Sequence, residues 1–503
     1  MTMNTTKKTL VLAVALGLSA NVFAAQDKVV VASTSTVQTL NPHNAGVTLD
    51  MSVANAIYDG LFKFDDNMQV QPNLATGYEV SDNGQTYTIT LREGVKFTDG
   101  TPFNAEAVKY NFQDEINKKQ RRASLLSNVE SFNVVSENVL EVKLKTPSNT
   151  FINNITHPSQ GMISPAAIEK YGDDIKAHPV GTGRFVLNKW IRGSKITMDA
   201  NPNYWGDPVK VEHLEFRAVP EAGSRLAMLK SGQAQVMLQL PNTMKPAVSS
   251  DKKLDAVASP SIIARYYALN TQNEILANAD VRKALNFAIN KDAYKKVVYG
   301  GDAGTLKSIV PEKIETFAAQ TPYTYDVAKA KALLAKAGYA DGFDAVIWAK
   351  NVTTSMRSAE FIQQQLKAIG VNTTIVPRDV ASHYSAGDGI NNDGTPPVIF
   401  DSGWSSSSAT VDWAIRPLFG SQGTSNYSYY KNAKVDQWLA DGQKTLDTAE
   451  KAKIYQNVQS TIWNDAAGIW TTVDTQLWAK SKSVQGINML PDGSLAITDV
   501  HYE

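Results

Sequence analysis

Residues 401–421 read DSGWSSSSATVDWAIRPLFGS, and here the side-chain types point to recognisable chemistry. The indoles of Trp404 and Trp413 offer flat apolar walls. Ser405 and the three serines after it offer adaptable hydroxyls, and Asp412 offers a fixed negative charge for an ammonium group. That inventory suits the capture of a polar, amine-bearing ligand. A plainer reading makes Asp412 a helix N-cap and the tryptophans core. Arg416 follows Asp412 by four residues, so on a helix the two have the spacing to pair with each other.

The elements needed to position these residues are legible around them. Pro397, Val398, Ile399 and Phe400 form an apolar, β-prone run that reads as a buried strand. A helix-like segment opens at Asp412 and Trp413 and ends near Pro417, Leu418 and Phe419. The serines therefore fall on a loop at a strand's carboxyl end, where α/β proteins hold ligands.

Signals for catalysis are weak by comparison. The six histidines, at 43, 157, 178, 213, 383 and 501, are far apart and form no His-x-x-x-His pair, so no metal site is expected. No Gly-x-Ser-x-Gly elbow occurs, and no phosphate loop ending in Lys-Ser/Thr. Gly181-Thr182-Gly183 lacks a third glycine and reads as a turn. No enzyme activity and no cofactor are expected; an exported hydrolase using Ser405 or a neighbour is the reading kept against this.

With 503 residues the chain exceeds one folding unit, and 43% hydrophobic content supplies a large core. Lys+Arg and Asp+Glu balance at 49 each, which gives no footing for a nucleic acid. Lys7-Lys8, an apolar run over residues 9–18 and Val22-Phe23-Ala24 make a secretory leader with cleavage expected after Ala24. Its removal leaves 47 basic against 49 acidic groups. The chain has no cysteine, hence no disulfide framework and no thiol after the leader for a lipid. A free periplasmic protein is expected.

Along the mature chain, residues 28–33 read as a strand and residues 51–62 as a helix with Val53, Ile57 and Leu61 on one face. Residues 73–92 read as a hairpin around Asp82-Asn83-Gly84. Asn104 suits the start of a helix with Val108 and Phe112 inward. Val281, Ala284, Leu285, Ala288 and Ile289 give a helical stripe. Asp326 caps a helix ending before Gly338, residues 343–349 form a strand, and Ala359, Ile362, Leu366 and Ile369 form a helix closed by Gly370. Residues 371–376 then form a strand, completing a βαβ unit. Residues 444–464 read as a last helix.

Several stretches carry a family likeness: LREGVKFTDGTPFNAEAVKYNF (91–112), HPVGTGRFVLNKW (178–190), NPNYWGDPVKVEHLEF (201–216), VRKALNFAINKDAYKKVVYGGDA (281–303) and YDVAKAKALLAKAGYADGF (325–343). Together they resemble the extracellular solute-binding proteins of the peptide/nickel/opine class, which deliver ligands to ATP-driven importers. Within that class the chain most resembles the periplasmic glutathione-binding proteins, through THPSQGMISPAAIEKYG (156–172), ASPSIIARYYALN (258–270) and the serine loop itself.

The resemblance implies an α/β, two-lobed periplasmic binding protein of type II, in the large cluster C form, with an extra subdomain in the first lobe. The first lobe would comprise residues 25–263 and 483–503 and the second 264–482, with crossings near Ile263 and Lys482. It implies a monomer that closes on glutathione or a short peptide and delivers it to an inner-membrane ABC permease. A general di- or oligopeptide carrier is the alternative, and a nickel-chelate or haem carrier a more distant one. Asp412 matches the family position that pairs with a peptide's α-ammonium, with Trp404 and Trp413 as walls. Arg265, Arg184, Arg357 and Arg416 are the candidates for the ligand's carboxylates, and Arg184 stands where class members often carry proline. Tyr266, Ser33, Ser35 and Gln160 are implied as further wall residues.

Overall fold

The computed structural model describes residues 27–387 and 398–503. The leader at residues 1–24, its cleavage site and Pro397 lie outside the described residues. Among the described residues one mixed sheet of eleven strands runs through the molecule. Two long strands join its halves, Leu254–Leu269 and Gly468–Ser481, paired antiparallel. Their register is interrupted between Pro260 and Ala264. A proline has no N–H for the ladder, so it sits where pairing breaks.

On one side of the break residues 254–260 pair with 475–481, and Leu477, Trp478 and Ala479 pack among first-lobe side chains. On the other side residues 264–268 pair with 468–473, and Ile469 and Trp470 enter the second-lobe core. Along both strands the side chains change from one core to the other across this break, between residues 260 and 264 and between 473 and 475.

In the first lobe Lys28–Ser33 lies parallel to His213–Ala218. The extra subdomain is a separate four-stranded antiparallel sheet, ordered Ala75–Val80, Thr86–Leu91, Val139–Leu144, Val129–Ser136. The helix Ala105–Asn117 buries Val108 and Phe112 in the same core, and Asn104 caps it by accepting from the Ala107 N–H at 3.0 Å. The C-terminal hairpin, Val484–Met489 and Leu495–Tyr502, returns to the first lobe, where the Tyr502 hydroxyl donates to the Lys28 carbonyl at 2.7 Å.

The second lobe holds the βαβ unit. Phe343–Lys350 and Val371–Arg378 pair in parallel, and Val398–Ser405 joins on the other flank. The intervening helix Thr353–Lys367 buries Ala359, Ile362 and Leu366, as its period predicts. Asp326 caps Val327–Lys336 by accepting from the Lys329 N–H at 2.8 Å.

Two expected helices differ. The one read over residues 51–62 spans Thr48–Ile57, because the chain behind it closes on its end. The Gly183 N–H donates to the Ile57 carbonyl at 2.9 Å. A Cβ on Gly181 or Gly183 would lie 2.3 or 2.4 Å from the Ile57 backbone, so both glycines serve close approach. The one read over residues 444–464 spans Thr448–Asn464, capped by Asp447, which accepts from the Glu450 N–H at 2.8 Å, and a separate helix, Ala433–Lys444, precedes it.

The lobes also touch away from the crossing strands. Asn149 of the extra subdomain donates from Nδ2 to the carbonyls of Gly442 (2.7 Å) and Thr445 (2.6 Å), and from its backbone N–H to that of Gln443 (3.1 Å). Lys313 donates to Asn67, and Phe64 and Met68 sit in the second-lobe core.

Candidate functional site

Two strand ends flank the crossing. In the second lobe the last residues of Val398–Ser405 lie beside the first crossing strand, with Ser405 opposite Ile263 and Trp404 opposite Ala264. In the first lobe the end of Lys28–Ser33 brings Ser33 and Ser35 to a small cavity of about 100 Å³, shared with Gln239 and with Gln476 of the second crossing strand. Ser35 is exposed, whereas Ser33 is buried and donates to the Ser35 carbonyl at 2.8 Å.

The four serines divide in two. Ser406 and Ser408 are buried and bind within the loop: Ser406 donates to the Thr410 carbonyl at 2.6 Å, and the Ser408 and Thr410 hydroxyls lie 3.1 Å apart. Ser405 and Ser407 are half-buried with their hydroxyls outside that network. Ala409 takes the left-handed backbone conformation at φ 58°. An alanine held there stores strain of about 1–3 kcal/mol, of a kind that collects at binding loops. The helix Val411–Phe419 then starts at Thr410, whose hydroxyl accepts from the Trp413 N–H at 3.3 Å. Thr410 is therefore the cap, and Asp412 lies in the first turn.

The indoles of Trp404 and Trp413 lie side by side, centroids 5.9 Å apart at 47°. The Trp404 Nε1–H donates to the Trp413 carbonyl at 2.9 Å, which fixes the pair. Trp413 is 43% exposed, whereas Trp404 is half-buried against the second-lobe core.

Asp412 turns inward. Arg416 Nε donates to its Oδ2 at 2.8 Å, Arg416 Nη2 to its Oδ1 at 2.5 Å, and the Tyr455 hydroxyl to Oδ1 at 2.9 Å. Burial first, and then the Asp412 charge, push the Tyr455 phenol well above its ordinary pKa, so it keeps the proton it donates. Both oxygens expected to meet an ammonium are thus engaged inside the second lobe. Arg416 also donates to the Leu439 carbonyl at 2.6 Å, tying the serine loop to the next helix.

Arg265 is engaged in the same way. It donates from Nε and Nη2 to Asp474 Oδ2, at 2.8 and 2.6 Å, between the two crossing strands. Burial opposes its charge, but Asp474 outweighs that and holds its pKa above the ordinary arginine value. Tyr266, expected as a wall, is 3% exposed and packs between Phe419 and Trp470. Gln160 is also buried, and its Nε2 donates to Glu115 at 3.0 Å. Arg184 stacks on Tyr204 at 4.5 Å and lines a separate first-lobe cavity of about 320 Å³ with Asp59 and His157. Arg357, on the helix Thr353–Lys367, is exposed and makes no ion pair among the described residues.

A second set of polar groups at the strand ends was not anticipated. Lys350 and Arg378 end neighbouring parallel strands in register. Lys350 pairs with the buried Asp401 at 2.9 Å, Ser355 also donates to Asp401, and His383 Nε2 donates to the Asp401 carbonyl at 2.7 Å. Burial chiefly lowers the His383 pKa, so the ring is neutral. A basic residue at the end of each strand is the available sequence signal. Among the described residues no cluster of three or more His, Cys, Asp or Glu could hold a metal ion, and no helix is long and apolar enough to cross a membrane.

Comparison with known proteins gives a consistent result. The family model described as bacterial extracellular solute-binding proteins, family 5 Middle, matches residues 69–426. The glutathione-binding protein GsiB of Salmonella typhimurium is 39% identical over 497 residues, covering 96% of this chain and 97% of that protein. GsiB of an Escherichia coli O6 strain is 37% identical over 498 residues, covering 97% of both. Among solved structures, HbpA2 from Haemophilus parasuis superposes with a TM-score of 0.86 at 25% identity, over 95% of this chain and all of that one. The periplasmic binding protein DppA from Helicobacter pylori, in complex with the peptide STSA, gives 0.76 at 24% identity over 95% and 99%.

Proposed function

This chain belongs to the bacterial extracellular solute-binding proteins of family 5, and from that premise we propose that it captures glutathione or a closely related short peptide between its lobes and delivers it to an ABC importer's inner-membrane permease. The observation that carries the ligand class is the 39% identity to a glutathione-binding protein over nearly the whole of both chains. The site has the chemistry for such a solute: indole faces and free hydroxyls on one lobe, an exposed serine on the other, and a crossing pair of strands between them.

In this reading Trp404, Trp413, Ser405 and Ser407 receive the peptide from the second lobe and Ser35 from the first, while Arg357 meets a carboxylate. The indole faces attract the ammonium directly. Asp412 acts through the loop: its bond to Arg416 and Tyr455 holds the helix Val411–Phe419, and so Trp413, in place. Closure removes water from the cleft, and a ligand that touches both lobes favours the closed form by its differential affinity. A buried charge left unpaired costs several kcal/mol, so ligands matching the arginine and the indoles are selected.

Calorimetric titration of ligand-free protein with glutathione, its disulfide and a set of neutral dipeptides tests this. Glutathione is expected to bind at least about tenfold more tightly than the dipeptides, a difference of about 1.4 kcal/mol. Dipeptides binding as well as glutathione would make the protein a general peptide carrier. No heat with any of them would remove the peptide reading altogether.

A further inference from the structure

Glutathione carries two carboxylates where a neutral dipeptide carries one, and the ligand reading above assigns a partner to only one of them. The candidate for the other is Arg378, the last residue of Val371–Arg378. Its guanidinium carbon lies 3.9 Å over the Trp348 ring, which holds the group flat. Its Nε is buried and has no acceptor, and it makes no ion pair among the described residues.

The other ionisable groups at this strand end have contacts of their own, and none forms an ion pair with Arg378 among the described residues. Lys350, level with Arg378 on the adjoining strand, pairs with Asp401. Asp379 accepts from Ser382, at 2.9 Å from its hydroxyl and 3.1 Å from its N–H. His383 is kept neutral chiefly by burial. One cation is left over, part-buried against an aromatic ring. Unmet donors in such a place cost free energy that an arriving anion recovers. A carboxylate fits the fork of a guanidinium, with two parallel hydrogen bonds.

The spacing agrees with a peptide. Trp348 is in register with Phe400, so Arg378 stands two strands from the row of Ser402, roughly 10 Å away. Ser405 is a further three residues along that strand, again roughly 10 Å. The diagonal is roughly 14 Å and an extended tripeptide spans about 10 Å, so the guanidinium has to turn out from Trp348 to meet the carboxylate. We infer that Arg378 binds the second carboxylate of the solute, and that this contact makes the site prefer a peptide with two carboxylates over a peptide with one. The inference rests on the solute reading above.

The test is titration calorimetry on the full mature chain, freed of ligand by unfolding and refolding, with glutathione and with a neutral dipeptide. Arg378→Gln is expected to weaken glutathione roughly 30-fold or more, as for loss of a desolvated charge pair, and the dipeptide by less than about threefold. Arg378→Lys, with charge but no fork, should fall between. Esterifying each glutathione carboxylate in turn probes the unmodified protein: one of the two esters must lose affinity for the native chain and show no further loss with Arg378→Gln. Equal losses for glutathione and dipeptide, no loss for either, or esters that bind as well as the free acid would overturn the assignment. A native protein that binds neither glutathione nor dipeptide would instead overturn the solute reading.

Discussion

The two lobes treat their polar groups in opposite ways. In the first lobe the residues nearest the expected wall face each other: Gln160 donates to Glu115, and the Ser33 hydroxyl serves its own loop. The second lobe carries an exposed arginine at 357 on the helix Thr353–Lys367, a part-buried one at 378 ending a strand, and, on the helix Val411–Phe419, an indole that is 43% exposed. Yet that lobe also contains Arg416 and Arg265, each bound to an acid. The contrast teaches that the type of a residue does not decide its role here; whether the fold has already supplied its counter-charge does. On the proposal made above, ligand charge is met in the second lobe by the cations without acids, while the paired ones brace the serine loop and the crossing strands.

The sharpest way to break that division is at Asp412. If it is a structural acid, Asp412→Asn leaves Arg416 half-buried without its bidentate partner. Breaking such a pair costs about 3–5 kcal/mol when fully buried, and about 3 kcal/mol is the expected loss of unfolding free energy here, read by denaturant titration without ligand. The affinity measured well below the new midpoint should fall much less. The reverse result, normal stability with a large loss of glutathione affinity, would return the carboxylate to the ligand.

The first lobe makes an opposite prediction. Glu115 is wholly inaccessible, and burial raises its pKa to about 8. Its Oε2 and the Gln160 Oε1 are both buried acceptors without partners. A protonated carboxyl donates where a carboxylate cannot. The folded state then holds a proton that the unfolded chain releases near pH 4.5, so stability falls as pH rises from about 4.5 to 8. His43 and His157, lowered by burial to about 4 and about 3, act oppositely, but only below pH 6.5. Between about pH 6.5 and 8 the Glu115 slope should show. Glu115→Gln supplies a permanent N–H toward Gln160, so it should stabilise the protein by about 1–3 kcal/mol at pH 8 and flatten that slope. A wild-type profile that is flat or rising over this window would refute the buried-acid account.

Features set by neighbouring residues are legible in the sequence, and those set by distant partners are not. The βαβ unit followed from period alone, since Ala359, Ile362 and Leu366 lie on one helical face and Gly370 sits just past its end in the left-handed conformation at φ 83°. The pairing of Asp412 with Arg416 is visible as a four-residue spacing, but its third contact, with the Tyr455 hydroxyl, comes from far along the chain. Tyr266 illustrates the same limit: in the strand Leu254–Leu269 neighbouring side chains alternate faces, and only Phe419 and Trp470 show which face is core. Gly181 and Gly183 read as a turn because their reason, the Ile57 backbone, is brought near only by the fold. Arg378 carries no such mark, because nothing local in a sequence shows that a cation lacks an acid.

Asn149 gives the last and smallest test, and it concerns closure instead of charge. The helix Ala433–Lys444 ends without a glycine cap, so its final carbonyls need partners from elsewhere. The Asn149 side chain gives two hydrogen bonds to them across the lobe boundary, and both must be exchanged for water when the lobes separate. A net worth of about 0.5–1.5 kcal/mol per bond means that Asn149→Ala should remove roughly 1–2 kcal/mol from the closed form. Ligand dissociates from the open form, so that loss should appear chiefly as release about 5–30 times faster in stopped-flow displacement, with the association rate little changed. Unfolding free energy in the absence of ligand should move less than it does in Asp412→Asn. An unaltered release rate would mean that these hydrogen bonds accompany closure without contributing to it, leaving ligand contacts and the crossing strands to hold the lobes together.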